Sequence, residues 1–500
     1  MIPPASKSKI VHNLKCIQTE GRAIAIAGKP YDYWVKKFGL PLYINFEDVA
    51  IENIRAFKRV FKGLYPAGRV CFAMKAYCHP RMAQIAAAEN IGADIVSENE
   101  LRCALEGGIN PRLIELNGNI KTEELIKQAI QKQITIVADN IEDFKIIAAL
   151  ALKAKTETKI MLRVSGLAVE GATEDSVLTA HEWTKFGEHK HNIPAFIKTI
   201  KEYKYVDFLG FHTHIGTQIT DLNIFLAALK DLLALSLLLQ KSGIPCKTIN
   251  IGGGFPIQYF TGPEWRSLLA AVKKGLLNPE KAVIWANGGG GFQKLPGGGW
   301  DFTRWSGEQF HTKYPKAKML EAILKASIDF KGRKVKVLQA LKELHNPEFI
   351  IEPGRAIITD TGIVLMRAGY NRRVNGHNMA SAFMGTTNFG ESLFYPNPRK
   401  WLIVNEHKKT AAKPYECFIA GNLCFSGDML SKYKVKLQRA PEPGDVLMAY
   451  DTGGTGQHFL ASNANSFSRT VRLLVRRNGQ FTVIRRRETY EDIFDIMELS

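Results

Sequence analysis

No two cysteines in this chain are spaced as C-x-x-C, and the seven present (Cys16, Cys71, Cys78, Cys103, Cys246, Cys417, Cys424) are widely scattered. An odd, dispersed set argues against a disulfide framework and against a zinc site, and leaves any special cysteine as a reactive thiol. Long apolar runs are also missing. The most apolar helical stretch, Phe225 to Leu239, is interrupted by Lys230 and Asp231. It falls short of the roughly 20 residues that a membrane span needs, so no transmembrane helix is expected. The first fifteen residues contain lysines and Pro3-Pro4 but no continuous apolar core. A secretory signal is therefore not expected, and a cytoplasmic location is the default. Low-complexity tracts are absent from the 500 residues, of which 45% are hydrophobic and 23% charged, which excludes wholesale disorder. Acidic residues are in deficit, 48 against 67 basic, giving a formal charge of +19. Such an excess could serve nucleic acid, anionic lipid or an acidic substrate, but it is spread along the chain and no recognition motif accompanies it. Neither a nucleic-acid nor a membrane partner is expected. The densest basic run, Arg476-Arg477 and Arg485-Arg486-Arg487, flanks Asn478-Gly479, the signature of a type I′ hairpin, and is expected to be solvated charge on an edge strand.

At roughly 150 residues per domain the length implies two or three domains, or fewer if a barrel takes about 250. From residue 41 short β-branched runs alternate with helical patterns. Strands are expected at Leu42 to Phe46, Arg69 to Lys75, Asp94 to Ser97, Leu113 to Asn117, Ile134 to Ala138, Lys159 to Val164, Val206 to His214, Thr248 to Ile251 and Phe349 to Glu352. Helical windows between them, such as Glu123 to Ile130 and Asn223 to Gln240, make this an α/β fold with parallel strands, as a (β/α)8 barrel or a doubly wound sheet. From about residue 362 short alternating segments and frequent turn signals predict a β domain. The expected division is residues 1–40 as a segment that is flexible or joins the β domain, 41–361 as the barrel, and 362–500 as the β domain. Within the barrel, Lys281 to Lys318 holds two glycine clusters with the aromatics Trp285, Trp300, Phe302 and Trp305 in and around them, and reads as a surface insertion or cover. No strand runs directly into its glycines, so they form no nucleotide fingerprint.

Polar residues at strand ends carry the chemistry of a parallel barrel. Lys75 follows Cys71-Phe72-Ala73-Met74, where partial burial would free its amine as a nucleophile. His212 and His214 share a strand face, although no nearby carboxylate or third histidine makes them a metal pair. One strand runs into Gly252-Gly253-Gly254 and another into Glu352-Pro353-Gly354-Arg355, so backbone N–H groups and an arginine could cup a phosphate beside a carboxylate.

With these motifs, the chain resembles the fold type III pyridoxal-phosphate decarboxylases, the group of diaminopimelate, ornithine and arginine decarboxylases, and is most similar to the diaminopimelate branch. The matching residues are Phe72 to Ala76, Gly92 to Ser97, His212 to Gln218, Gly252 to Gly254, Glu352 to Arg355, Cys424 to Asp428 and Arg487 to Asp492, in order along nearly the whole chain. The resemblance implies an alanine-racemase-like (β/α)8 barrel, a C-terminal β domain and a homodimer with shared active sites. It implies pyridoxal 5'-phosphate as cofactor and an amino-acid substrate that loses its α-carboxylate. Lys75 would hold the cofactor as a Schiff base, His214 would stack on its ring, and Glu352 would pair with the ring nitrogen. Gly253, Gly254, Gly354, Arg355 and Thr217 would bind the phosphate, with Asp94 and Arg163 in support. Cys424 and Asp428 would reach in from the partner chain, the thiol as proton donor.

The chain also departs from that pattern. Phe425 stands where relatives carry an acid for the distal amine of the substrate. Asp451-Thr452-Gly453-Gly454-Thr455-Gly456 lacks the family's phosphate-binding tyrosine, which Thr455 could only partly replace. No arginine precedes Leu393-Phe394-Tyr395. A substrate with a neutral, conjugated or bulky tail is therefore expected. The alternatives are meso-diaminopimelate itself, a racemase, and a catalytically inactive regulatory homologue.

Overall fold

The computed structural model describes residues 15–20, 23–167, 179–181, 183–303, 305, 309–390, 398–405, 413–454 and 461–495. The chain divides into two compact units, one of Ile51–Ile257 with Thr312–Ala356, the other of Met1–Ala50, Gln258–His311 and Ile357–Ser500.

The first unit is a closed, all-parallel barrel of eight strands: β1 (Gly68–Ala73), β2 (Gly92–Ile95), β3 (Ile114–Leu116), β4 (Thr135–Ala138), β5 (Thr158–Ser165), β6 (Val206–His212), β7 (Thr248–Asn250) and β8 (Glu348–Ile351). Each pairs with the next in sequence, and β8 closes on β1. Apart from a few rim positions these strands are buried along their length, as strands covered on both faces must be. Side-chain caps start the crossover helices just past the strand ends. Ser97 accepts from Glu100 N–H, Thr122 from Leu125 N–H, Asn140 from Asp143 N–H and Asp221 from Asn223 N–H, each cap worth about 1 kcal/mol. The shared direction of the parallel strands puts the turns from strand to helix at one end of the barrel.

The helix Leu222–Lys241 is longer than its sequence suggested. Its 20 residues are by length and composition enough to cross a membrane, because Lys230 and Asp231 fall within a continuous helix rather than ending it. Half of that apolar window is buried, with Phe225, Leu229, Leu232 and Leu239 all packed inward. Its two charges form ion pairs with Asp329 and Lys190.

The second unit is built on a nine-stranded sheet, and here the expected domain boundaries shift. Leu42–Phe46 is not a barrel strand. It lies antiparallel to Gly362–Val374 and parallel to Val471–Val475, fully buried against Trp34, Leu365, Met448 and Leu473. Nine barrel candidates thus become eight. The stretch expected as a barrel insertion also belongs here in large part. Gln258–His311 is compact with this unit, and Ile284 bridges Tyr433 while Lys434 N–H donates to Val283 carbonyl at 2.8 Å. The chain returns to the barrel only at Thr312, which accounts for the long interval between the Gly-Gly-Gly turn and Glu352.

One expectation about the basic hairpin is corrected. Val475 pairs with Phe481 and only Gly479 is left-handed (φ +82°), whereas a type I′ turn requires Asn478 to be so as well. The strand Phe481–Arg485 is an edge strand, and Arg476, Arg486 and Arg487 are exposed charges, each also engaged at the surface. Arg476 pairs with Glu47 at 2.9 Å, Arg486 with Asp492, and Arg487 reaches the carbonyls of Phe38, Leu40 and Pro41.

Candidate active site

The strand ends of the barrel gather one polar cluster. β8 hands Glu352 into it, 3% exposed. Its Oε1 accepts from Asn250 Nδ2 at 2.7 Å and Asn117 Nδ2 at 3.3 Å, and lies 3.1 Å from His212 Nε2. No described residue hydrogen-bonds Oε2. Burial alone would raise this carboxyl, but His212, His214 and Lys75 outweigh it and hold Glu352 well below the usual range. Asp94, at the end of β2, goes the other way. Burial and the neighbouring Glu352 charge push it up to about 8, although Asn117 Nδ2 donates to it at 2.6 Å.

His214 sits two residues past β6. Its Nδ1 accepts the Gly253 N–H at 2.9 Å, which fixes the remaining proton on Nε2. Burial, then the charges of Lys75 and Arg163, push the ring's pKa well below its ordinary value. A prediction follows on the sign of this shift. As pH falls below about 6.5 the unfolded chain takes up the His214 proton first, so this contribution to stability is present above that pH and lost below it. Urea denaturation of the apoprotein should show a steeper loss from pH 6.5 to 5 for wild type than for His214→Gln. Equal slopes would refute it.

Lys75 lies in a single 3-10 turn, Met74–Ala76, directly after β1. The expectation of a partly buried lysine is corrected, because its side chain is exposed. No described residue pairs with it, yet its charge is felt by Asp94, Glu100, His214 and Glu352. Arg163, on β5, lies over the Phe186 ring at 4.4 Å and 3.9 Å from Asp139.

On the other side are the glycine turns. Gly252 and Gly254 are left-handed (φ +65° and +88°), and a Cβ on Gly253 would sit 2.7 Å from the Glu352 carbonyl. A Cβ on Gly354 would be 2.9 Å from that of Ala76. Side chains are excluded here, so backbone borders the cluster directly. Of the expected phosphate donors, the Gly253 N–H is committed to His214. Arg355 Nε donates to Thr217 Oγ1 at 3.0 Å, setting that pair side by side.

The remaining candidates lie in the second unit. Gly421 to Asp428 forms a tight loop whose tip exposes Cys424, Phe425 and Ser426. Asp428, expected to reach a neighbouring site, is buried. Its Oδ1 accepts from Thr386 N–H at 2.6 Å and Thr386 Oγ1 at 2.7 Å, and its Oδ2 from Leu423 N–H at 2.7 Å. These bonds shape the loop around it. Thr455 and 391–397 lie outside the described residues.

Glu115, Asn117 and Asn250 were missed in the sequence. Glu115 left one signal, an acid in the middle of Ile114-Glu115-Leu116 on a strand buried on both faces.

Comparison with known proteins gives a consistent picture. Residues 51–280 match the family model of the pyridoxal binding domain of pyridoxal-dependent decarboxylases. The diaminopimelate decarboxylase of Bacillus subtilis is 29% identical over 95% of both chains, and that of Archaeoglobus fulgidus is 24% identical over 96% of this chain and 98% of its own. Among solved structures, diaminopimelate decarboxylase from M. jannaschii superimposes with a TM-score of 0.75 at 23% identity, covering 97% of this chain and 98% of that one. The lysine/ornithine decarboxylase of Vibrio vulnificus complexed with putrescine gives 0.64 at 18% identity, over 89% of this chain and 97% of that one.

Proposed function

We propose that the chain is a fold type III pyridoxal-phosphate-dependent decarboxylase of the diaminopimelate/ornithine group, whose barrel binds pyridoxal 5'-phosphate and removes the α-carboxylate of an amino acid with a tail that is not a free ammonium. The residues present fit the cofactor. The uncommitted Oε2 of the ionised Glu352 suits a protonated ring nitrogen, the neutral His214 imidazole suits a flat cationic ring, and the Arg355–Thr217 pair beside the Gly252–Gly254 turn suits a phosphate. When bound, pyridoxal phosphate supplies an electron sink for the pair left behind as carbon dioxide departs. Lys75 is the amine that would hold it. Glu352, held ionised, would supply the negative charge for a protonated ring nitrogen, and Gly253 holds His214 in one tautomer. Cys424, exposed at its loop tip, would return a proton from Sγ to the α-carbon in the site of a partner chain of a homodimer.

The observation that carries the substrate reading is the loop tip itself. Phe425 is 56% exposed beside Cys424, and the only acid of the loop, Asp428, is buried and turned inward onto Thr386 and Leu423. An ammonium brought out of water to such a tip has no counter-charge from this loop, which costs several kcal/mol. A neutral, aromatic or acylated tail meets no such penalty. A rival reading, free meso-diaminopimelate, is favoured by the relatives that match along nearly both full lengths, which are diaminopimelate decarboxylases.

A panel of free meso-diaminopimelate, lysine, ornithine and their acylated forms, scored by carbon dioxide release, separates the two. The free diamino acids are expected to be poor substrates, and Phe425→Glu is expected to improve at least one of them about tenfold, the gain from a partly screened ion pair of roughly 1.4 kcal/mol. Wild-type kcat/KM above about 10⁴ M⁻¹s⁻¹ on free meso-diaminopimelate would establish the rival.

A further inference from the structure

A hydrogen-bonded line of side chains runs through the inside of the barrel to Glu352. Arg69, near the start of β1, grips Glu348 at the start of β8 with Nε at 2.7 Å and Nη2 at 3.1 Å. The same Nη2 donates to Glu115 Oε1 at 3.0 Å. Glu115 Oε2 accepts from Asn250 Nδ2 at 2.7 Å, and that nitrogen donates its second hydrogen to Glu352 Oε1, also at 2.7 Å. Asn250 Oδ1 in turn accepts the Gly252 N–H at 2.7 Å. Glu115 and Asn250 are wholly buried. The orientation of the Asn250 amide follows from its neighbours, since only a nitrogen with two hydrogens can lie between two carboxyl oxygens while its oxygen faces an N–H.

The line is expensive to bury. Glu115 is an acid inside a barrel, beside Asp94 and Glu352, and burial pushes its pKa well above the usual range against Arg69, its one direct cation. An apolar residue at 115 would fill the same layer without burying a carboxyl group. What Glu115 alone supplies is an acceptor for the inner hydrogen of Asn250, which obliges the outer hydrogen to stay on Glu352 Oε1.

We propose that Glu115 and Asn250, backed by Arg69, are positioning residues for Glu352: they saturate Oε1 from the barrel interior, keep the carboxylate in one rotamer, and leave Oε2 as the atom that meets the ring nitrogen of the cofactor. This rests on the reading that Glu352 faces that nitrogen. The other groups facing Glu352 are Asp94, Asn117, His212, His214, Lys75 and Arg163, and none of them is altered by the variants below. In Glu115→Gln the amide must turn its nitrogen toward either Arg69 or the Asn250 Nδ2, so one bond of the line is always lost. Asn250→Asp removes the donor to Glu352 and adds a like charge.

The test uses the full-length holoprotein. Glu115→Gln, Asn250→Asp and Glu352→Gln are reconstituted with pyridoxal phosphate. For each, the cofactor dissociation constant, the pH at which the absorption band of the bound cofactor converts, and kcat and KM separately are measured, with circular dichroism as the check on folding. Glu115→Gln is expected to move the band's midpoint by at least about half a pH unit in the direction taken by Glu352→Gln, Asn250→Asp, with its added negative charge, to move it in the opposite direction, and both to lower kcat tenfold or more with KM within about twofold. A folded Glu115→Gln or Asn250→Asp with the wild-type midpoint and kcat, while Glu352→Gln shifts both, would overturn the positioning role and leave the Glu352 reading standing. If Glu352→Gln leaves the midpoint unchanged, the underlying reading itself falls. Should Glu115→Gln not fold, Asn250→Asp alone decides by the same criteria.

Discussion

Lys75→Ala is expected to leave the reconstituted protein without the near-visible absorbance of lysine-bound pyridoxal phosphate and to lower kcat/KM by at least about 10⁴-fold. The expectation rests on geometry. Lys75 is placed by the turn after β1 at the same end of the barrel as Glu352 and His214, its charge reaches both, and no described residue ties up its amine. The neighbouring lysine is no substitute. Lys121 has a fully buried side chain and is locked to Asp143 at 2.6 Å. Absorption spectra before and after borohydride reduction, with peptide mapping of the reduced adduct, decide the matter. Retention of the band in Lys75→Ala would mean that a different lysine carries the cofactor.

The second large effect is a recovery. If Cys424 serves the barrel of a partner chain, Lys75→Ala and Cys424→Ala each ruin every site of their own homodimers. A mixed dimer, however, pairs the intact lysine of one chain with the intact thiol of the other. Equal mixing under subunit exchange is expected to restore up to about a quarter of wild-type activity, since half the dimers are mixed and each has one whole site, as the isologous symmetry of a twofold dimer requires. Differently tagged chains, purified as heterodimers, give the measurement. Verified heterodimers without activity would place Cys424 and Lys75 in the same chain's site, and activity in the Cys424→Ala homodimer would remove the thiol from catalysis.

The barrel and its site differed in how openly the sequence displayed them. Lys75, Glu352 and the Gly252–Gly254 turn were legible because each interrupts an apolar strand at its end, where a parallel barrel concentrates its chemistry. Leu42–Phe46 was misplaced for the converse reason. A strand buried on both faces reads the same whichever sheet receives it, and its partners, Gly362–Val374 and Val471–Val475, lie hundreds of residues away. The excursion Gln258–His311 was hidden by the same non-local pairing, visible only once Ile284 met Tyr433. Asp428 was legible as a residue but not as a contact. Its spacing from Cys424 matched the family pattern, while the donors that hold it, Thr386 among them, come from a distant turn. Glu115 and Asn250 stood in the sequence as ordinary members of apolar strands, because which residues share an interior layer of a closed barrel depends on how each strand is staggered against its neighbours.

The misplaced strand also bears on how the protein is made. All the residues of the barrel unit have left the ribosome once Ala356 is free, so that unit can close while synthesis continues. The sheet unit cannot. Leu42–Phe46, five buried residues inside it, is synthesised before the barrel and must wait for Gly362–Val374 on one side and Val471–Val475 on the other. At about 5–20 residues per second that interval lasts on the order of tens of seconds, with an apolar strand unpaired on both edges throughout. Nascent chains halted between residues 356 and 471 should accordingly combine a protease-resistant barrel with a sticky amino-terminal end, and they are the form of this protein with the greatest call on chaperones.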